Sequence, residues 1–488
     1  MRLFRTFSPS RAVAVALSLA LLGGCSLLPS VGSNYTLPSL KLPAGWYAAS
    51  TETQPQSASR QELGQWWRRF DDATLNALID EALAGNTDLR LAQARLRQAR
   101  ASRRQAIGDY FPTLTVSANP ARSKSASTVG AGSERTLYDA GFDAAWEIDL
   151  FGGMRRAVEA ATADLAASQA DLDNARVSLV AEVVENYAEL RSYQQRLQIA
   201  RANLDSQGET RQITEWRYQA GLASASDVEQ ARTNLEQTRA SIPDLEIGLV
   251  EAKNRLAVLT GQAPGALNSR LSEVRPLPAV PAAVATGIPA DVLRQRPDLI
   301  AAERTLAAET ARVGQKLAQR FPSLSLSGTF GWQAYSLAAL GGGDALLRSL
   351  SGQLAATLFD GGRLRAAVEV QNAVQEQALV SYEAAVLGAL EEVENALAAH
   401  ARAYERLQAR RAAAEAARNA AQLTRQMYQS GLSDFQKVLE TERTRLSAED
   451  SLATAEATLL TSLVKLYKSL GGGWEQPAAG NSIPEQKS

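Results

Sequence analysis

The chain has 488 residues, is 45% hydrophobic and 21% charged, and sets 51 Lys and Arg against 52 Asp and Glu. Those proportions exclude a disordered tail, a collagen-like fibre and a disulfide scaffold, and a net charge of −1 gives no electrostatic reason to expect nucleic acid. One His, one Cys and three Met leave almost no material for a nucleophile–base pair or a soft-metal site, so the inventory argues against an enzyme.

Residues 1–24 read as a secretory leader. Arg2, Arg5 and Arg11 make a basic start, and Ala12 to Leu22 form an apolar run too short to span as a folded helix. The leader ends in Leu22-Gly23-Gly24-Cys25, which resembles a bacterial lipobox. That resemblance implies cleavage before Cys25, whose diacylated and N-acylated form would be the mature terminus. Ser26, where an inner-membrane lipoprotein often carries Asp, implies the outer membrane. Two or more acyl chains anchor stably where one does not. No cofactor is expected beyond this covalent lipid on Cys25. The plainer alternative is a buried free Cys beside an ordinary cleavage site.

After an N-terminal stretch, 25–72, the chain reads as two copies of one plan offset by about 210 residues. Asn86-Thr87-Asp88-Leu89 returns as Arg296-Pro297-Asp298-Leu299, Phe111-Pro112-Thr113-Leu114 as Phe321-Pro322-Ser323-Leu324, and Tyr218-Gln219-Ala220-Gly221-Leu222 as Tyr428-Gln429-Ser430-Gly431-Leu432. The first copy, 73–262, holds a helix, strands at about 111–122 and 135–150, and a long helical hairpin with its tip near 221. A Pro-rich link follows at 263–289. The second copy, 290–470, places strands at about 321–335 and 348–360 and a tip near 431, leaving 471–488 as a tail.

Gly153 to about Arg217 contains no Pro, and as one helix it would reach roughly 95 Å at 1.5 Å per residue. Its partner repeats Val228, Leu235, Ile242, Leu249 and Leu256 every seven residues, with Ala231, Thr238, Leu245, Ala252 and Leu259 three further on, a coiled-coil seam. In the second copy Val386, Leu390, Val393, Leu397, His400, Tyr404 and Leu407 alternate four and three. Pro243 should remove one helical hydrogen bond and bend its rod.

The strands carry period two. Tyr138, Ala140, Phe142, Ala144, Trp146, Ile148 and Leu150 alternate with a face bearing Asp139, Asp143, Glu147 and Asp149. One face suits lipid and the other water, the pattern of a membrane barrel; on alternation alone a half-buried soluble sheet fits as well. Four strands per chain cannot close, since single-chain barrels begin at about eight. Identical copies must supply the missing edges, and three would give about twelve strands and room for a channel.

Further stretches sharpen this reading: Trp66-Trp67-Arg68-Arg69-Phe70-Asp71-Asp72 with Leu75, Trp146-Glu147-Ile148-Asp149-Leu150-Phe151-Gly152 and Arg217-Tyr218-Gln219-Ala220-Gly221-Leu222-Ala223-Ser224. With the repeated motifs above, the chain resembles the TolC-like outer-membrane factors, and within them the OprM/NodT-type efflux lipoproteins. The resemblance covers nearly all of the mature chain. It implies a mainly α protein with membrane β structure: a homotrimeric channel with a long coiled-coil α-barrel in the periplasm and four strands per chain in a 12-stranded outer-membrane β-barrel. The chain ends and the inter-repeat link would form an equatorial belt. The implied partners are a periplasmic adaptor and an inner-membrane RND-type pump, with no catalysis by the channel itself.

Gly221 and Gly431 mark the hairpin tips, and the strands lie at the opposite end of the rods, so the tips would face the pump. Tyr218, Leu222 and Asp227 beside the first tip, and Tyr428, Leu432 and Asp434 beside the second, are the candidate adaptor-docking residues. Helix N-capping is the competing role for Asp227 and Asp434. Family members narrow the tunnel with a pattern like Leu-Asp-Ala-Gln-Arg; this chain has Val438-Leu439-Glu440-Thr441-Glu442-Arg443. The resemblance thus implies a periplasmic gate at Glu440 and Arg443, a pair that also fits an ordinary solvated helix face. Asp139, Asp143, Glu147 and Asp149 would line the barrel lumen and favour cations. His400, on a seam, reads as a packing residue rather than a pH switch. The expected function is passive efflux of small molecules; a duct for type I protein secretion and a non-transporting coiled-coil scaffold are the alternatives.

Overall fold

The structure, a computed structural model, describes residues 30–40, 42–47, 63–130, 132–280 and 295–474. Cys25 and most of the Pro-rich link lie outside them. The long elements are α1 (Ala73–Gly85), α2 (Thr87–Gly108), β1 (Thr113–Lys124), β2 (Glu134–Ile148), α3 (Gly153–Gln219), α4 (Ala225–Leu259), α5 (Pro297–Ala318), β3 (Ser323–Ala334), β4 (Leu346–Ala355), α6 (Arg363–Gln429) and α7 (Phe435–Ser469). The chain divides into two compact units, one of residues 1–39, 96–168 and 301–383, the other of 40–95, 169–300 and 384–488.

In the first unit the strands form one antiparallel sheet in the order β1-β2-β3-β4, and among the described residues β1 and β4 each have a single neighbour. Gly141 and Gly331 face each other across β2 and β3, so closely that a Cβ on either would lie 2.8 Å or less from the other strand's backbone. The extended segment from residue 30 is fastened by Arg156, whose side chain is 3% exposed. Its Nε donates to the Val31 carbonyl at 3.1 Å, and its Nη2 to the Gly32 carbonyl at 3.0 Å and Asn34 Oδ1 at 2.9 Å. The charge-assisted bonds offset part of what burial of a guanidinium costs.

In the second unit α1 opens on Asp72, whose carboxylate accepts from the Thr74 and Leu75 amides. The helix buries Leu75, Leu78, Ile79 and Ala82, the i, i+3, i+4, i+7 stripe of an amphipathic helix. Trp66 and Trp67 are both buried, and Trp66 stacks on Tyr467 with centroids 4.8 Å apart. A buried chain of bonds runs from Asp72 to the Tyr187 hydroxyl (2.6 Å), from there to Arg191 (2.9 Å), and on to the Glu273 carbonyl (2.8 Å). It holds the start of the inter-repeat link against α3. Burial, with the Asp72 carboxylate alongside, pushes the Tyr187 hydroxyl up to about 12.

The motifs at Asn86 and Arg296 resolve into one task done by two chemistries. Asn86 caps α2 through its Oδ1 and donates its Nδ2 to the Leu259 carbonyl at 3.0 Å, the last residue of α4. Arg296, just before α5, donates to the Ser469 carbonyl at 2.9 Å, the last residue of α7, and to Asp298 and Glu392. Each satisfies a helix C-terminal carbonyl that has no partner of its own.

The α6 seam differs from the sequence reading at one position. Along α6 the expected row of Val386, Val393 and Leu407 is buried, with His400 half-buried between the last two, and it continues through Ala414, Ala421 and Tyr428. The expected Leu390 and Leu397 pack, partly buried, against the cluster of Val393, Ala396, Leu466 and Leu470, whereas Tyr404 is 55% exposed and Ala403 beside it is buried. Pro243 does not interrupt α4, which remains helical from Ala225 to Leu259.

Candidate functional site

Two regions of the chain carry functional geometry, one in each unit. In the first unit the sheet register puts Val116, Phe142, Phe330 and Arg348 in one row, and Ala118, Ala140, Trp332 and Leu346 in the next. Directly paired residues share a face, so the apolar side chains of all four strands form a single surface. It is open: Leu114 and Val116 are each 71% exposed, Leu350 85%. No described helix is long and apolar enough to cross a membrane.

The opposite face carries Asp139, Asp143 and Glu147. Asp143 accepts from the Ser117 hydroxyl at 3.1 Å and the Thr329 hydroxyl at 2.9 Å, so β1 and β3 hold it from both sides. Asp139 stands opposite Asn119 and Gln333, and Glu147 opposite Ser325. Asp149 is placed differently. β2 ends at Ile148, and the Asp149 carboxylate takes the Arg155 amide at 3.0 Å and the Arg155 guanidinium at 3.2 Å, at the start of α3.

The second region, within the second unit, is the pair of hairpin turns. α3 ends in a Schellman turn: Gly221, with φ of 74°, donates to the Tyr218 carbonyl and Leu222 to the Arg217 carbonyl. α6 ends the same way, with Gly431 at φ 77° donating to Tyr428 and Leu432 to Met427. Leu222 and Leu432 are 68% and 74% exposed, Tyr218 is exposed, and Tyr428 is buried against Phe435 and Val438. Asp434 is the N-cap of α7, accepting from the Lys437 amide at 2.8 Å. Asp227 is not the N-cap of α4. Ser224 is, and Asp227 completes the capping box from the third helical position.

Glu440 and Arg443 do not bond to each other. Glu440 accepts from Lys437 Nζ at 2.8 Å, and Arg443 reaches across to α4, its Nε 2.9 Å from Asn234 Oδ1. Two groups near them were not singled out by the gate motif, Arg217 and Glu442. Arg217 lies 4.6 Å over the Tyr428 ring and donates to the Tyr428 carbonyl at 3.0 Å, linking the ends of α3 and α6. Glu442 is 2% exposed, and its Oε1 accepts from the Thr210 hydroxyl at 2.7 Å. Burial raises its pKa, an effect that the Thr210 bond and the fields of Arg425 and Arg445 only partly offset. The sequence does hold a signal for Glu442: Phe435, Val438, Leu439 and Glu442 step by three, one and three, which puts the carboxylate on the buried stripe of α7.

His400 sits in the α6 seam with Nδ1 3.1 Å from the Ser462 hydroxyl, and desolvation lowers its pKa. Among the described residues no cluster of three or more His, Cys, Asp or Glu is arranged to hold a metal.

Comparison with known proteins gives a consistent neighbourhood. A family described as outer membrane efflux protein matches residues 78–262 and again 288–472. Nodulation protein T of Rhizobium leguminosarum bv. viciae is 33% identical over 88% of this chain and 87% of its own length. The antibiotic efflux pump outer membrane protein ArpC of Pseudomonas putida is 31% identical over 96% and 97%. Among solved structures the outer-membrane channel OprN superposes with a TM-score of 0.85 at 42% identity, over 91% of this chain and 99% of that one.

Proposed function

Because the chain belongs to the outer membrane efflux protein family, we propose that three copies close a twelve-stranded barrel whose long helices continue as a periplasmic conduit. The observation that carries this reading is the open sheet. β1 and β4 each leave one edge unpaired beside an exposed apolar face. In hydrocarbon an unpaired backbone group costs several kcal/mol, and a ring of identical chains removes every edge. Within that ring the acidic face turns inward, and three copies of Asp139, Asp143 and Glu147 give the mouth a preference for cations.

The protein is a channel component of efflux and makes no chemical step of its own. We read the two matched stretches as duplicated repeats, 73–262 and 290–470, and segments 25–72, 263–289 and 471–488 as the equatorial belt between them. A lipid on Cys25 anchors the N-terminus in the outer membrane. The hairpin turns, with exposed Leu222 and Leu432, dock a periplasmic adaptor, and an RND-type pump in the inner membrane delivers the cargo. The cargo class is small toxic molecules, by analogy with the antibiotic efflux relative. Glu440 and Arg443 constrict the pump-facing end, Glu440 exchanging Lys437 for a guanidinium of the next subunit on assembly.

The test is purified protein in planar lipid bilayers. The reading expects stepwise conductance and a cross-linked trimer. Monodisperse single chains, with strand side chains such as Phe142 open to aqueous labelling, would overturn it. Restored tolerance of small toxic molecules, rather than secretion of a protein, in a strain lacking its own channel separates efflux from type I export.

A further inference from the structure

The interface of α3, α4, α6 and α7 near the hairpin turns contains a carboxyl group in an environment unsuited to its charge. Glu442 is 2% exposed, and its Oε1 has one hydrogen bond, from the Thr210 hydroxyl. Its Oε2 is buried with no partner. The charged groups whose fields reach it are Arg425 on α6 and Arg445 on its own helix; neither guanidinium bonds to it, and Arg425 Nε is itself buried without a partner. Arg425 holds Ser206 and Glu209, and Arg445 holds Asn203 Oδ1 at 2.7 Å. From α3 the facing group is Thr210. On α4 the buried polar group at this level is the uncharged Asn234, whose amide oxygen accepts from Arg443 and whose Nδ2 is buried without a partner. A buried carboxylate with one free oxygen costs far more than a buried carboxylic acid in the same place.

We infer that Glu442 is a proton-binding site linking pH to the docking of the second hairpin on α3: protonated and docked in mild acid, ionised and loosened in mild alkali. The site itself stands on the geometry above; its consequence for flow rests on the channel reading.

The sign follows from linkage. When α7 separates from α3, Glu442 meets water and returns to an ordinary carboxylate, so the docked form binds the proton more tightly and low pH favours docking. The undocked population rises about tenfold for each pH unit between the undocked and docked pKa values. Glu442→Gln has the shape of the protonated acid and should hold the docked form at every pH. Thr210→Val removes the one bond that favours the anion and should move the transition to higher pH.

The experiment uses the full-length lipoprotein in nanodiscs. Cys25 is its one native cysteine, so spin labels at Ala202→Cys and Ser447→Cys report the distance between α3 and α7. Both positions are exposed. Between pH 5.5 and 8.5 the distance should lengthen in the otherwise unaltered chain, stay short in Glu442→Gln, and lengthen at higher pH in Thr210→Val. A pH-independent distance in the unaltered chain, an identical pH response in Glu442→Gln, or no upward shift in Thr210→Val overturns the inference. Single-channel recordings on the same samples separate the two claims. Conductance with a pH-independent distance sinks the proton site alone; a pH-dependent distance without conductance sinks the channel reading alone.

Discussion

Arg296 shows how much one side chain can hold together. Its guanidinium is 8% exposed and bonds the last carbonyl of α7, the Asp298 carboxylate that begins α5, and Glu392 of α6. Arg296→Ala leaves a buried carbonyl without a donor, and should cost about 2 kcal/mol, read as a lower midpoint in thermal unfolding of the assembled protein. Arg296→Lys cannot reproduce the forked contacts and should recover less than half of that loss. His400 acts in the opposite pH sense to Glu442. Its folded pKa is depressed by burial, so its contribution to stability is present above the ordinary histidine range and is lost as pH falls below it. His400→Gln should therefore flatten the acid limb of stability against pH while leaving the alkaline limb unchanged, as equilibrium unfolding between pH 5 and 8 would record. At this scale the sequence was legible wherever a residue's role is local. Asp434 caps the helix it precedes, and Gly221 and Gly431 take positive φ. It was not legible where the role depends on a distant partner: the spacing of Glu442 fits a buried stripe, but only the fold brings Thr210 to it and leaves Arg425 and Arg445 unbonded to it.

The strands and the long helices fail in different ways when altered. Phe142 stands between Val116 and Phe330 on the exposed apolar face of the sheet. Phe142→Arg puts a charge where the proposed barrel meets lipid, and should cost about 2–4 kcal/mol per chain near the membrane midplane. The readout is trimer recovered from the outer membrane, which should fall severalfold, while Asp143→Asn on the other face should leave it unchanged. Period-two alternation made the strands legible, since side chains on a pleated sheet must point alternately. It could not fix where β2 ends, because Asp149 continues the alternation while Arg155 draws its carboxylate to the start of α3. For the helices, counting apolar residues found the seam, with Leu390 and Leu397 packed against its core, and went astray at Tyr404, which is exposed while Ala403 is buried. Hydrophobicity ranks tyrosine above alanine, but at this step the small side chain is the buried one.

For the whole molecule, the proposed ring makes predictions a single chain cannot. Three copies of Glu440 near one axis repel unless guanidinium groups offset them, so Glu440→Ala with Arg443→Ala should raise single-channel conductance. Unchanged conductance in a properly assembled trimer would remove the gate from these residues. Reversal potentials across a salt gradient should show cation preference, weakened in Asp139→Asn with Asp143→Asn. The proposed number of chains rests on arithmetic: four described strands are too few to close a barrel, and three copies would supply the rest. What no sequence pattern could show is which partner Glu440 holds in the isolated chain, because Lys437 is one turn away and always available.

The two unmatched borders of the sheet also have a genetic corollary. A barrel sewn from three donors is only as sound as its weakest contributor, so a strand-damaging allele should behave as a dominant poison. With equal expression and random mixing, about one barrel in eight would contain normal subunits alone.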